Sequence, residues 1–161
     1  MTEAFLSRAM DVYGDCVYRL ALCRLQNRAD AEDAFQDTFL ALFQEGDAAA
    51  WEEEHLKAWL IRVAVNKCGD IARRRRHISP LELAELPETP GIDLYGYIDL
   101  WDAVNRLPEK QRMIFHLHYC EGYQTKEIGE LLKMPGSTVR VYLNRARGAL
   151  RKELRDNAEI S

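Results

Sequence analysis

The stretch "QTKEIGELLKMPGSTVRVYLNRARGALRKELR", residues 124–155, decides the fold class. Ile128, Leu131 and Leu132 recur at the spacing of one helical face, and Val139, Leu143 and Ala146 recur at the spacing of another. Between the two runs lies Lys133–Gly136, with Met134 placed to fill the corner. Two short amphipathic helices joined by three or four residues make a helix-turn-helix. The outer face of the second helix then carries Arg140, Asn144 and Arg147, with Arg145 beside them. Arginine pairs bidentately with guanine or phosphate and asparagine with adenine, so these residue types suit a reader of the major groove. The amides near Ser137 and Thr138, at the start of that helix, are placed to bind a backbone phosphate. An ordinary helical hairpin with a basic surface would show part of this pattern.

Upstream, "LPEKQRMIFHLHYCEG" begins at residue 107 with a proline and Glu109 at a helix start and ends in Gly122. Before it, Trp101, Val104 and Leu107 mark a fourth amphipathic helix of the same domain. The segment before that, residues 77–96, is rich in proline and glycine, acidic and free of long helical periodicity; it reads as a linker. The N-terminal domain, residues 1–76, reads as three helices. Phe5, Val12, Val17, Leu20 and Ala21 define the first, over 3–26. Asp30 is placed to cap the second, in which Ala34, Phe35, Thr38, Phe39, Leu42 and Phe43 keep helical spacing. Asp33, Gln36 and Asp37 occupy its opposite face, and Gly46 suits a left-handed C-cap. The third runs over about 54–76 through Leu56, Trp59, Leu60, Val63 and Ile71. No segment alternates as a strand would. The expectation is an all-α chain of two small domains, 1–76 and 97–155, with 156–161 as a tail.

Charge placement adds a second line of argument. The chain has 161 residues and a net charge of −4, yet residues 57–76 carry seven basic side chains against Asp70 alone. Residues 133–155 carry seven against Glu153 alone. Two compact basic segments in an otherwise acidic chain point to two polyanion contacts, though a single basic face is often merely solvated. In the run Arg73, Arg74, Arg75 and Arg76 the side chains fan around the helix. They suit a salt-sensitive phosphate clamp better than base selection.

Other chemistries find little support. His116 and His118 lie two residues apart on a helix and cannot chelate one ion together, and His116 with Cys120 lacks further ligands. Asp30, Asp33 and Asp37 could face a divalent cation but read better as a solvated or protein-binding face. No phosphate loop or nucleophile–histidine–acid set is apparent, so no catalytic residue, metal or cofactor is expected. A small enzyme or metal protein built on His116, Cys120 and the carboxylates is the distant alternative. A dimeric repressor with this helix-turn-helix is the nearer one, but it leaves the acidic 30–45 face and the 57–76 helix unexplained. The four cysteines form no CxxC, which fits a reduced cytoplasm. The acidic N-terminus is unlike a signal peptide, and no apolar run reaches the ~18 residues of a membrane span.

Three segments together, "DAEDAFQDTFLALFQ" (30–44), "LKAWLIRVAVNKCGDIARRRRH" (56–77) and the stretch 107–154, resemble bacterial RNA polymerase sigma factors of the sigma-70 family. The short two-domain form is similar to their extracytoplasmic-function (ECF) group. The resemblance implies a transcription initiation factor that binds core RNA polymerase through the β′ clamp coiled coil and the β subunit. It further implies recognition of two promoter elements and help in opening the duplex. On this resemblance Asp30, Asp33, Gln36 and Asp37 match the clamp-binding part. Trp59, Arg62, Asn66, Lys67 and the arginines 73–76 match the segment that recognises and melts the minus-ten element, although the spacing of Trp59 also allows a core anchor. The loop 45–55 matches the family's pocket for a flipped base and is unusually acidic here. Ser137, Thr138, Arg140, Val141, Asn144, Arg145 and Arg147 match the minus-thirty-five reader. An anti-sigma factor is a further implied partner, and membrane insertion is not implied. Lys133 stands where a turn glycine is common, Gln124 replaces a Ser or Thr cap, and Val141 and Tyr142 replace polar and basic residues.

Overall fold

The computed structural model of the chain describes residues 2–75 and 95–160. They contain seven α-helices and one short 3-10 turn and no strand. The chain divides into two compact units, Met1–Glu88 and Thr89–Ser161. Arg76 and residues 77–94 of the expected linker lie outside the described residues.

The first unit packs α1 (Glu3–Leu25), α2 (Arg28–Gln44) and α3 (Glu53–Arg75) against one another, with the 3-10 turn Ala48–Ala50 between the last two. Thr2 starts α1 by accepting the Phe5 N–H at 3.2 Å. Gln26 ends it in the left-handed region, φ 52°, and returns its N–H to Leu22 O at 2.8 Å. The chain reverses so tightly there that α2 begins earlier than its apolar pattern suggests. Asn27, not Asp30, is its N-cap and accepts the Asp30 N–H at 2.9 Å. Gly46 is likewise not a left-handed cap. Glu45, at φ −83°, closes α2 and leads the chain into the 3-10 turn instead.

The core of this unit is Val17, Leu20, Ala21, Ala31, Ala34, Phe39, Leu42, Leu60, Ile61, Ala64, Cys68 and Ile71. Each of the larger side chains contributes roughly 1.5–3 kcal/mol by leaving water. Two residues of the expected apolar stripes face outward. Val12 is 67% exposed because α1 meets its neighbours at that level through Ala9 and Gly14. Phe43 is 46% exposed because Leu42, beside it in the last turn of α2, is the side chain that enters the core.

In the second unit α7 (Gly136–Ile160) is the spine against which α4 (Tyr95–Asn105), α5 (Glu109–Tyr119) and α6 (Thr125–Leu132) pack. Helix α4 begins two residues inside the expected linker. Helix α7 runs through the segment read as a tail, since nothing after Arg155 up to Ile160 breaks a helix. Val104, Leu107, Ile114, Leu117, Ile128, Leu131, Val139, Leu143, Ala146 and Leu150 are buried between them. Arg112 and His116 are buried with them. Arg112 donates from Nη1 to Leu107 O at 2.9 Å, bracing the α4–α5 corner.

His116, the other, has Nε2 3.5 Å from Glu121 Oε1, with both side chains almost wholly buried. Burial alone would lower its pKa, but hydrogen bonding to Cys120 and Glu121 outweighs burial and raises it to about 8. The folded state therefore favours the imidazolium. That stabilisation is complete below the unfolded value of ~6.5 and is lost as pH rises through about 8. The loss amounts to about 2 kcal/mol on the scale of 1.36 kcal/mol per pKa unit. Urea unfolding of the full chain at pH 6 and pH 9 should show it, and His116→Gln should remove most of that pH dependence.

Candidate nucleic-acid interface

The helix-turn-helix is set by one close approach. A Cβ on Gly129 would lie 2.6 Å from Met134 O and 3.3 Å from Gly136 N, so only glycine lets α6 sit this near the turn. Gly129 O accepts the N–H of Lys133 and, at 2.9 Å, that of Met134. Lys133 takes the left-handed conformation, φ 56°, that glycine adopts at least cost. Pro135 O then receives the Thr138 and Val139 N–H groups at 3.0 and 3.1 Å and launches α7. At the other end of α6 the Gln124 N–H donates to Glu127 Oε1 at 3.0 Å, the return half of a capping box.

This corner leaves Ser137, Arg140, Val141, Asn144 and Arg145 exposed on α7, while Val139, Leu143 and Ala146 are buried beneath. Thr138 is half-buried. Arg147 belongs to the same surface but is engaged. Its Nε donates to Tyr119 Oη at 2.6 Å, its guanidinium lies 5.5 Å from the Tyr119 ring centre, and its Nη1 donates to Asn144 Oδ1 at 3.3 Å. Tyr142 carries Arg145 over its ring at 6.0 Å.

On α3, Arg62, Asn66, Arg73 and Arg74 are exposed and Lys67 is half-buried. Trp59 is neither free nor a core anchor: it is half-buried and packs on Trp51 with ring centres 5.6 Å apart, and Trp51 in turn meets His55 at 4.7 Å. Trp51 is a member of this surface that its single position in an irregular loop did not single out. Within the arginine run the described side chains, Arg73 to Arg75, are not equivalent. Arg73 pairs with Asp70 on the exposed face, and Arg75 pairs through two nitrogens with the carboxylate of Asp30.

That second pair changes the reading of the acidic face. Asp30 is 7% exposed and turned toward α3, so it does not lie with Asp33, Gln36 and Asp37 on the outside of α2. It joins the N-terminal turn of α2 to the C-terminal turn of α3, where the helix dipoles favour a carboxylate and a guanidinium respectively. The outer stripe of α2 is instead Asp33, Gln36 and Asp37 continued by Leu40, which is 56% exposed, and by Phe43. Beside it, between α1 and α2, opens a groove lined by Met10, Asp11, Asp15, Tyr18, Phe35 and Gln36. Among the described residues no group of three histidine, cysteine or carboxylate side chains is arranged to hold a metal ion.

An all-α chain carrying a helix-turn-helix with an exposed basic reading helix belongs to the DNA-binding transcription proteins. The comparisons narrow the class. Residues 10–78 match Sigma-70 region 2 and residues 97–150 match Sigma-70, region 4. The ECF RNA polymerase sigma factor SigW of Bacillus subtilis is 30% identical over 165 residues, covering 91% of this chain and 87% of that protein. SigL of Mycobacterium tuberculosis, also an ECF RNA polymerase sigma factor, is 30% identical over 163 residues, covering 96% and 92%. Among solved structures, the sigma factor RpoE of Bartonella quintana, in complex with the anti-sigma factor NepR, superposes with a TM-score of 0.73 at 20% identity, covering 96% of this chain and 98% of that one. CnrH, in complex with the cytosolic domain of CnrY, superposes at 0.66 with 22% identity, covering 96% and 90%. The chain belongs to the sigma-70 family, ECF group. It is a sigma factor that directs RNA polymerase to promoters for transcription initiation. No helix among the described residues is long and apolar enough to cross a membrane.

Two features of this geometry can be tested by stability alone. Lys133→Gly should stabilise the chain by about 1 kcal/mol by relieving the left-handed lysine, whereas Gly129→Ala should cost about 3 kcal/mol through the backbone clash. Asp30→Ala and Arg75→Ala should each cost about 2 kcal/mol by leaving a partly buried charge without its mate. In a double-mutant cycle followed by denaturant unfolding, the combined variant should cost clearly less than the two together.

Proposed function

We propose that the three surfaces divide the work of initiation. The outer stripe of α2, with Asp33, Gln36 and Asp37 beside exposed Leu40 and Phe43, docks on the clamp coiled coil of the polymerase β′ subunit. An acidic and amide face flanked by apolar atoms suits a basic helical partner. The β subunit is the further contact on core polymerase. Asp30, assigned to this face in the family pattern, acts inside the fold by holding Arg75.

Helix α3 takes the minus-ten element. Trp59, braced by Trp51, offers an aromatic platform for an unpaired base, an interaction worth ~1–3 kcal/mol, with Arg62, Asn66 and Lys67 around it. Arg73 and Arg74, with Arg75 and Arg76, supply phosphate contacts where the helix ends. Helix α7 reads the minus-thirty-five element through Arg140, Val141, Asn144 and Arg145, with Ser137, Thr138 and Arg147 toward the backbone. The observation that carries this reading is the face of α7, where the side chains suited to base edges stand exposed over a buried apolar seam.

Opening of the duplex draws on binding free energy exchanged between paired DNA and the captured strand. Opening in this way needs no catalytic residue and no cofactor, and the chain acts in the cytoplasm with its polymerase. The complex of a structural neighbour with an anti-sigma factor supports a partner of that class here, covering the polymerase- or DNA-binding faces.

Transcription in vitro with core polymerase on a genomic DNA library tests the whole reading. Absence of promoter-specific transcripts together with absence of co-elution with core would sink it. Arg140→Ala should weaken or shift minus-thirty-five recognition by ~1–3 kcal/mol. Asp37→Arg should lower core affinity and leave the DNA affinity of the free chain unchanged. Equal loss of free-chain DNA binding in both variants would overturn the division of labour.

A further inference from the structure

A chain of contacts starts in the core of the second unit and ends on the reading face of α7. Buried Phe115 packs on Tyr119 with ring centres 4.6 Å apart. His118, whose Nδ1 is 2.8 Å from Tyr123 O, stands edge-on against the same ring at 4.8 Å. Tyr119, at the end of α5, is thus braced on two sides while half its surface remains in water. It accepts the Arg147 Nε–H at 2.6 Å and lies under the guanidinium, which fixes that planar group in both direction and tilt. Arg147 then donates to Asn144 Oδ1 at 3.3 Å.

An asparagine that reads adenine uses both ends of its amide, accepting from N6 and donating to N7. Here Arg147 holds one of the two lone pairs of the oxygen, which sets the turn of the amide and leaves both donors of the NH2 group for a base. We infer that Tyr119 is a positioning residue for base recognition: through Arg147 it orients Asn144 to present N–H donors, selecting a base edge rich in acceptors, guanine N7 and O6 or thymine O4, over adenine. This rests on the reading of α7 as the minus-thirty-five reader. It replaces the expectation, drawn from residue type alone, that Asn144 pairs with adenine.

The test uses holoenzyme reconstituted from core polymerase and the full chain, on promoters randomised across the minus-thirty-five region. The wild type should select G or T at the one position that Asn144→Ala relaxes. Tyr119→Phe keeps the ring beneath the guanidinium but loses the acceptor. It should move that single position toward A by about fivefold or more, the low end of what a bidentate base contact discriminates. Preferences elsewhere and the thermal midpoint should hold. A wild-type preference for A at that position, an unchanged preference in Tyr119→Phe, or an equal loss on every sequence would each overturn the inference. If Arg140→Ala and Asn144→Ala shift no position either, it is the assignment of α7 to DNA that fails.

Discussion

At Gly129 the backbone of α6 runs so close to the following turn that a single methyl group would meet the Met134 carbonyl oxygen. That approach fixes where the chain turns, and the turn fixes which side of α7 is buried. Val139, Leu143 and Ala146 then go inward, and Arg140, Asn144 and Arg145 have nowhere to face but out. The chemistry offered to DNA is therefore decided by a residue with no chemistry of its own. The same corner tolerates Lys133 in a conformation better suited to glycine. The surrounding packing offsets the cost of that residue.

Each unit is small enough that every helix must surrender one face to a shared core. What remains for partners is one outward stripe per helix, and these stripes differ in kind. On α2 it is acidic and apolar, on α3 basic and aromatic, on α7 basic and amide-bearing. Separated on different helices, they would let a protein surface and a nucleic acid be engaged, as proposed, without competition for the same atoms.

Much of this was legible in the sequence, because helical periodicity and charge placement are local properties. The pattern Ile128, Leu131, Val139, Leu143 located the helix-turn-helix, and the two basic segments located α3 and α7. What the sequence did not reveal depends on contacts between distant residues. Asp30 looks like a cap or an exposed acid because its neighbours are polar, and only the packing of α2 on α3 shows that it faces Arg75, 45 residues away. Tyr119 and Arg147 are 28 residues apart and share no pattern. Trp51 sits in irregular chain where no period exists to flag it. Val12 and Phe43 fit an apolar stripe by spacing, yet the contact surface is narrower at those levels than the stripe.

The arginine run at the end of α3 is less available than its count suggests. Arg73 already has Asp70 as a counter-ion and Arg75 already has Asp30. At Arg73 and Arg75 an arriving phosphate does not meet bare cations; it must displace carboxylates that the fold itself provides. Such an exchange yields less net affinity than new contact would, and the displaced acids stand ready to retake their partners. On the proposed reading of α3, a grip built in this way would hold promoter DNA during opening and let go of it cheaply when the polymerase moves on.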